Sequence, residues 1–221
     1  MYIKADRQQI VGFFYGYLFM QQGERKDVYK VYDKIAQWFH ANRPQTLMEK
    51  GYLDKLISRL PQNASALDLG CGTGEPMLRY LLQQGVNVVG VDASTAILKI
   101  AQANFPYTQF ILQDMRQLDL GRKFDAIIAW HSFFHLPADD QPAMFPLFAK
   151  HLNKNGILMF TSGTQYGEAW GMNGGENLFH GSLEKENYRQ LLEKHNFQIL
   201  GHTIEDPECG GATVWMAQYW G

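Results

Sequence analysis

The segment Ala66-Leu67-Asp68-Leu69-Gly70-Cys71-Gly72-Thr73-Gly74-Glu75-Pro76 constrains this chain more than any other, because an apolar strand runs into a glycine-rich turn that opens a helix. Gly70, Gly72 and Gly74 can take positive φ and bring the backbone close to a ligand where a Cβ would interfere. A dinucleotide loop reads G-x-G-x-x-G and seats a pyrophosphate on the helix N-terminus, but here the sixth position is Glu75. A carboxylate there repels phosphate and is itself stabilised by the helix dipole, while Pro76 suits the first helical turn. The loop therefore predicts a nucleoside-like ligand without a pyrophosphate.

Around it the chain alternates helical and strand patterns. Val28, Val31, Tyr32, Ile35, Trp38 and Phe39 recur at helical spacing from Asp27 to His40, and Leu53, Leu56, Ile57 and Leu60 do so from Gly51 to Leu60. The pattern then predicts strand Ala66 to Leu69, helix Pro76 to Gln84 ended by Gly85, strand Val86 to Val91 and helix Ser94 to Asn104. Strands Gln109 to Leu112 and Ala126 to Trp130 follow. A helix from Pro142 to Leu152 must hold Pro146 in its first turn or kink there, and Asn155-Gly156 turns the chain into strand Ile157 to Thr161. The glycine-rich stretch Ser162 to Gly181 reads as an active-site lid or a disordered insert. Helix Leu183 to His195 and strands Gln198 to Glu205 and Ala212 to Gln218 close the chain. This alternation predicts an α/β fold with a doubly wound, mostly parallel sheet.

Composition narrows the function. The 221 residues suffice for one full α/β domain and not for two of ordinary size. Net charge is -2 with both signs interspersed, so no footprint for a nucleic-acid backbone is present and a small molecule is the expected partner. Cys71 in the glycine loop and Cys209 near the far end make no disulfide framework, which fits a reducing cytoplasm. The apolar run Ile10 to Met20 is too short to span a bilayer as a helix, and no membrane partner is expected. Lys4 and Arg7 ahead of it give the charge order of a signal peptide, but no small-x-small cleavage site follows. Residues 1–26 are expected to form a cap segment or an extension upstream of the natural start, and residues 27–221 the main domain.

The motif Asp68-Leu69-Gly70-Cys71-Gly72-Thr73-Gly74 resembles the first motif of class I S-adenosylmethionine (SAM) methyltransferases. The resemblance extends over about Asp27 to Gln218. At His180-Gly181-Ser182-Leu183, Glu186-Asn187-Tyr188 and Asp206 to Trp215 the chain is similar to a bacterial subgroup without an assigned acceptor. It implies a Rossmann-like seven-stranded sheet ending in an antiparallel hairpin, an N-terminal helical cap, and SAM as cofactor with S-adenosylhomocysteine (SAH) as product. Asp92, about 20 residues past the loop, stands where a carboxylate receives both ribose hydroxyls, with Ala93 after it. Asp114 stands where an acid accepts from the adenine amino group, and Met115 where a side chain packs on the ring. Asp68 resembles the acid near the SAM ammonium, beside Gly70, Cys71 and Gly72 of the loop. Trp130 should border the adenosine or the methyl, Tyr32 cover the methionine tail, and Arg43 meet the SAM carboxylate. Plainer readings compete: a helix N-cap for Asp92, although Ser94 fits that better, a turn former for Asp114, core packing for Trp130 and Tyr32, and a surface arginine for Arg43.

Methyl transfer from a sulfonium is an in-line displacement that needs closeness, alignment and exclusion of water. A histidine base helps when the acceptor is a hydroxyl or a protonated amine, and His131 and His180 are the candidates, with His135 read as structural. Tyr166, Trp170 and Phe179 are expected to wall an apolar substrate pocket. No Asn/Asp-Pro-Pro-aromatic motif and no paired-cysteine arrangement is present, which moves the acceptor toward small molecules, and no metal is expected. The reading is a cytoplasmic SAM-dependent methyltransferase acting on an O, N or S centre of a small molecule. Its rivals are a SAM- or SAH-binding regulatory protein without turnover and an NAD-dependent oxidoreductase.

Overall fold

The computed structural model describes residues 25–221, so the run Ile10 to Met20 lies outside the described residues. Two helices precede the sheet. Helix α1 (Val28–Asn42) buries Val28, Val31, Ile35 and Ala36 along one stripe, and α2 (Lys50–Ile57) buries Leu53 and Leu56. The alternating part contains β1 (Ser65–Leu69), α3 (Met77–Gln83), β2 (Asn87–Asp92), α4 (Thr95–Asn104), β3 (Gln109–Leu112), β4 (Phe124–Ala129), α5 (Met144–His151) and β5 (Leu152–Ser162). A hairpin of β6 (Gly167–Asn173) and β7 (Glu176–Ser182) follows, then α6 (Lys185–Lys194), β8 (Phe197–Asp206) and β9 (Ala212–Tyr219).

Seven strands form one sheet in the order β3-β2-β1-β4-β5-β9-β8. The first five run parallel, and β9 pairs antiparallel with both β5 and β8. This is the expected doubly wound sheet with its terminal antiparallel hairpin. Side chains alternate between two cores, as a strand's period of two requires. Leu67, Leu69, Ile127, Leu158 and Phe160 face one, and Ala66, Ile128, Ile157 and Met159 the other. Burial on both faces explains why β1 and β4 are apolar at most positions instead of alternating.

Local chemistry sets the element ends. Gly85, at φ +80°, closes α3: its N–H reaches Leu82 O and the Val86 N–H reaches Leu81 O, both at 3.0 Å, which satisfies the last carbonyls. Ser94 caps α4, its Oγ accepting from the Ile97 N–H at 3.2 Å. Pro146 falls in the first turn of α5, where its missing N–H costs little.

Two expectations need correction. Strand β5 begins at Leu152, not Ile157, because Leu152 already pairs with Phe124 and a register irregularity absorbs the intervening residues. The stretch from Ser162 to Gly181, expected as an active-site lid or a disordered insert, is no disordered insert: it carries the β6–β7 hairpin. Gly174 and Gly175 have φ +57° and +84°, and positive φ at both turn residues matches the right-handed twist of the flanking strands.

A buried polar network fixes this hairpin to the sheet. The Tyr188 hydroxyl on α6 donates to Gln141 Oε1 at 2.6 Å and accepts from the Leu183 N–H at 3.1 Å. The Gln141 amide donates in turn to Leu136 O at 3.0 Å and Gly181 O at 2.8 Å. Tyr188→Phe leaves buried polar groups unpaired and is expected to lower unfolding stability by about 1–3 kcal/mol. Urea denaturation of the variant measures this directly, with an unchanged midpoint arguing against the network.

Candidate active site

In a doubly wound sheet a crevice opens where strand order reverses, outside the carboxyl ends of the strands. Here that point lies between β1 and β4. A cavity of about 330 Å³ occupies it, walled by the glycine loop, the ends of β2 and β3, the turn after β4, α1 and β7.

The glycines of the loop serve different ends. A Cβ on Gly70 would lie 2.2 Å from Ser132 Cβ, and one on Gly74 would lie 2.6 Å from the Phe105 ring, so both admit neighbouring side chains. At Gly72, φ +56°, the nearest atom to such a Cβ is Phe39 Cε1 at 3.7 Å, and its backbone is the part open to a ligand. The Gly72 N–H donates to Asp92 Oδ2 at 3.0 Å and the Ser94 N–H to Asp92 Oδ1 at 2.9 Å. Each oxygen keeps acceptor capacity toward the cavity. Burial raises the Asp92 carboxyl above its ordinary value, against these backbone bonds. Cys71 is buried behind the loop, its thiol pushed well up by burial, and Ala93 lines the cavity.

Asp68 is buried at the end of β1, and its carboxyl is pushed up to about 7 by burial, opposed by Arg43 and reinforced by Asp92. Arg43 follows α1 and lines the same cavity, and its buried Nε has no partner among the described residues. Trp130, just past β4, is 4 % exposed and borders the cavity, so it is both core and wall; its Nε1 likewise has no partner among the described residues.

Asp114 lines the cavity after β3 and also starts the turn there. Its carboxylate accepts from Arg116, with Nη2 at 2.5 Å and Nε at 3.0 Å, and from the Arg116 backbone N–H at 2.9 Å. Asp140 also faces that guanidinium at 3.3 Å and Asp27 at 3.6 Å. Met115 presents its side chain beside Gly70. Arg116 was no candidate in the sequence, although an arginine two residues beyond an acid that starts a turn was an available signal.

The other half of the cavity is built from aromatic rings. The Tyr32 hydroxyl lies 3.0 Å from His135 Nε2, and His135 Nδ1 lies 2.8 Å from Phe179 O. A carbonyl can only accept, so Nδ1 carries the proton and Tyr32 donates to Nε2. With both ring nitrogens used, His135 is structural, as expected. His131 has φ +50°, its N–H is held by Thr161 Oγ1 at 2.8 Å, and its ring is open to the cavity. Phe134 sits among the three imidazoles, with centroids 5.6 Å from His131, 4.8 Å from His135 and 5.1 Å from His180. Tyr166, Trp170 and Phe179 do not form the expected wall. Phe179 is buried against α1 and Trp170 packs on it from outside, because they occupy the face of the hairpin opposite His180 and Leu178.

The sequence matches the methyltransferase-domain family over residues 39–202. The chain belongs to the class I SAM-dependent methyltransferases. An uncharacterized methyltransferase of Oceanobacillus iheyensis is 25% identical over 157 residues, covering 70% of this chain and 67% of that protein. The dTDP-3-amino-3,4,6-trideoxy-alpha-D-glucopyranose N,N-dimethyltransferase of Streptomyces venezuelae is 31% identical over 108 residues, covering 48% of this chain and 45% of its own length. The matched part is thus about two thirds of the first relative and less than half of the second. The SAM-bound amino pentose methyltransferase CalS10 of Micromonospora echinaspora shares the fold with a TM-score of 0.66 at 17% identity, covering 83% of this chain and 94% of CalS10. SAM is the cofactor of this methyltransferase family. The residues present fit it: a buried unpartnered Arg43 Nε, a buried Asp68 and the open backbone at Gly72 suit a zwitterionic tail and a nucleoside.

Burial holds the His135 imidazole of this methyltransferase neutral, lowered to about 3 from the ordinary 6.5. For a depressed imidazole the unfolded chain binds protons first, so its stabilisation is full above pH 6.5 and lost as pH falls toward the folded value. Asp68 acts with the opposite sign, since its raised pKa favours proton uptake by the folded form. Comparing wild type with His135→Phe, which keeps a ring in place without a titrating group, isolates one histidine. The urea midpoint of the variant is expected to drop less between pH 7 and pH 5 than that of wild type.

Proposed function

We propose that this chain transfers the methyl group of SAM to an O, N or S centre of a small molecule. The observation that carries the reading is that Asp68 and Arg43, of opposite charge, both line the cavity, where a ligand that bears an ammonium and a carboxylate can reach them. Arg43 receives the carboxylate and Asp68 lies toward the ammonium. Asp92, held by the Gly72 and Ser94 amides, receives the ribose hydroxyls. Met115 and Ala93 flank the base, with Asp114 acting at its edge while anchored by Arg116. Tyr32, fixed by His135, closes the site over the tail.

When bound, SAM supplies an electrophilic methyl on a sulfonium. The protein's own share is to align the acceptor and exclude water, which α1 and the β6–β7 hairpin do by walling the cavity. His131 and His180 face the acceptor as neutral imidazoles able to take a hydrogen bond or a proton. The small-molecule reading is supported by the size of the cavity and by a net charge of -2 that offers nucleic acid no basic surface. Among the described residues no helix is long and apolar enough to cross a membrane.

Asp92→Ala is expected to weaken SAH binding by about 1.5–3 kcal/mol, the loss of charge-assisted hydrogen bonds. Titration calorimetry measures it, and an unchanged affinity removes Asp92 from the ribose site. Incubation with methyl-labelled SAM and fractionated metabolite extract tests turnover. Label is expected in a small-molecule fraction; SAM binding without transfer would instead favour a regulatory SAM-binding protein.

A further inference from the structure

The charges lining the cavity are divided unevenly. Its carboxylates, Asp68, Glu75, Asp92 and Asp114, all belong to the glycine loop and the ends of β1, β2 and β3. The opposite half, from α1, the turn after β4 and β7, is lined by aromatic, imidazole and aliphatic side chains, with Asn173 and the exposed Lys26. Among the described residues that half offers a bound cation no carboxylate.

The same half discloses what it does to positive charge. Burial drives the His135 imidazole down to about 3, and a substrate ammonium beside it would meet the same desolvation without a counter-ion. The walls also carry a shape. Phe134 and His180 are tilted rings with centroids 5.1 Å apart, and His131 flanks Phe134 at 5.6 Å, so the surface presented to a ligand is a bank of ring faces and edges. His135 has both nitrogens engaged, whereas the His131 ring is open to the cavity.

Resting on the methyltransferase reading above, the geometry points to a planar aromatic acceptor that presents a neutral phenolic hydroxyl to His131 and packs against Phe134. This sets the chain apart in acceptor class from the amino-sugar enzymes it resembles. The ring finds aromatic partners at contact geometry, and the hydroxyl donates to an imidazole whose neutral form has a free acceptor nitrogen. An aliphatic ammonium finds no carboxylate counter-ion in that half among the described residues.

The test uses the full chain saturated with SAH, after a first titration establishes SAH binding. Three probes of similar size are then titrated calorimetrically: 4-methylphenol, benzylamine and benzoate. The phenol is expected to bind at least about ten-fold more tightly than benzylamine, as the lack of a partner for a buried charge predicts. It should also move the His131 ring nitrogen resonances, while His131→Asn weakens it about ten-fold. SAH titration of that variant shows whether it is folded. Equal or tighter binding of benzylamine, a preference for benzoate, no binding of any probe, or unmoved His131 resonances would overturn the acceptor assignment. Absence of SAH binding to wild type would overturn the cofactor reading instead, so the two failures are distinguishable.

Discussion

The cavity depends on how closely the chain after β1 approaches the chain after β4. Ser132 Oγ donates to Leu69 O at 2.6 Å, and the missing side chain of Gly70 is what gives Ser132 its place. Because β1 and β4 are neighbours on either side of the reversal in strand order, this one contact closes the floor of the crevice. It also fixes the direction in which the following residues leave. Trp130 and His131 turn toward the cavity, with His131 in the left-handed region and its N–H tied to Thr161 on β5. A larger residue at position 70 would push Ser132 away and unseat both walls at once.

The opposite wall rests on a second close approach. A Cβ on Gly181 would lie 2.7 Å from Leu136 O, so glycine there lets β7 settle on the turn after β4. Gln141 then bonds to both Leu136 and Gly181, and Tyr188 bonds to Gln141. His135 and His180 lie within a residue of these anchor points, and their positions follow from a network that touches neither ring. The cap helix joins the same assembly through Tyr32 and His135, through Lys34 and Glu176, and through Gly174 packed on Ile35 and Trp38. The acceptor half is therefore one body made from three segments distant in sequence.

The fold was legible because its signals are local. The strand before Gly70, the cap at Gly85 and the Ser94 N-cap each announce an element end through chemistry contained within a few residues. The hairpin was missed although Gly174-Gly175 between β-prone segments is itself a local turn signal, since the glycine content of the whole stretch read as loop. In the site, Asp92 and Asp68 were legible because strand ends point at the crevice. The Tyr32–His135 bond and the displacement of Trp170 and Phe179 to the outer face were not. Each depends on which face of a strand or helix meets another segment, and a one-residue difference in register exchanges those faces.

The placement of Asp68 and Arg43 bears on why such a site persists. A buried carboxylate and a guanidinium whose buried Nε has no partner among the described residues are each costly, and moving them together would relieve both. The fold holds them on separate segments, one at the end of β1 and one beyond α1, near enough for Arg43 to lower the Asp68 carboxyl in part, and a ligand that brings both complementary charges would relieve them further. The raised Asp68 carboxyl, at about 7, records its burial, which Arg43 offsets only in part. An ammonium brought beside Asp68 would favour its ionised form and lower that value. Ligand binding and proton release from Asp68 are then linked, and the affinity of the cofactor rises as pH increases through 7 until the ammonium itself begins to lose its proton.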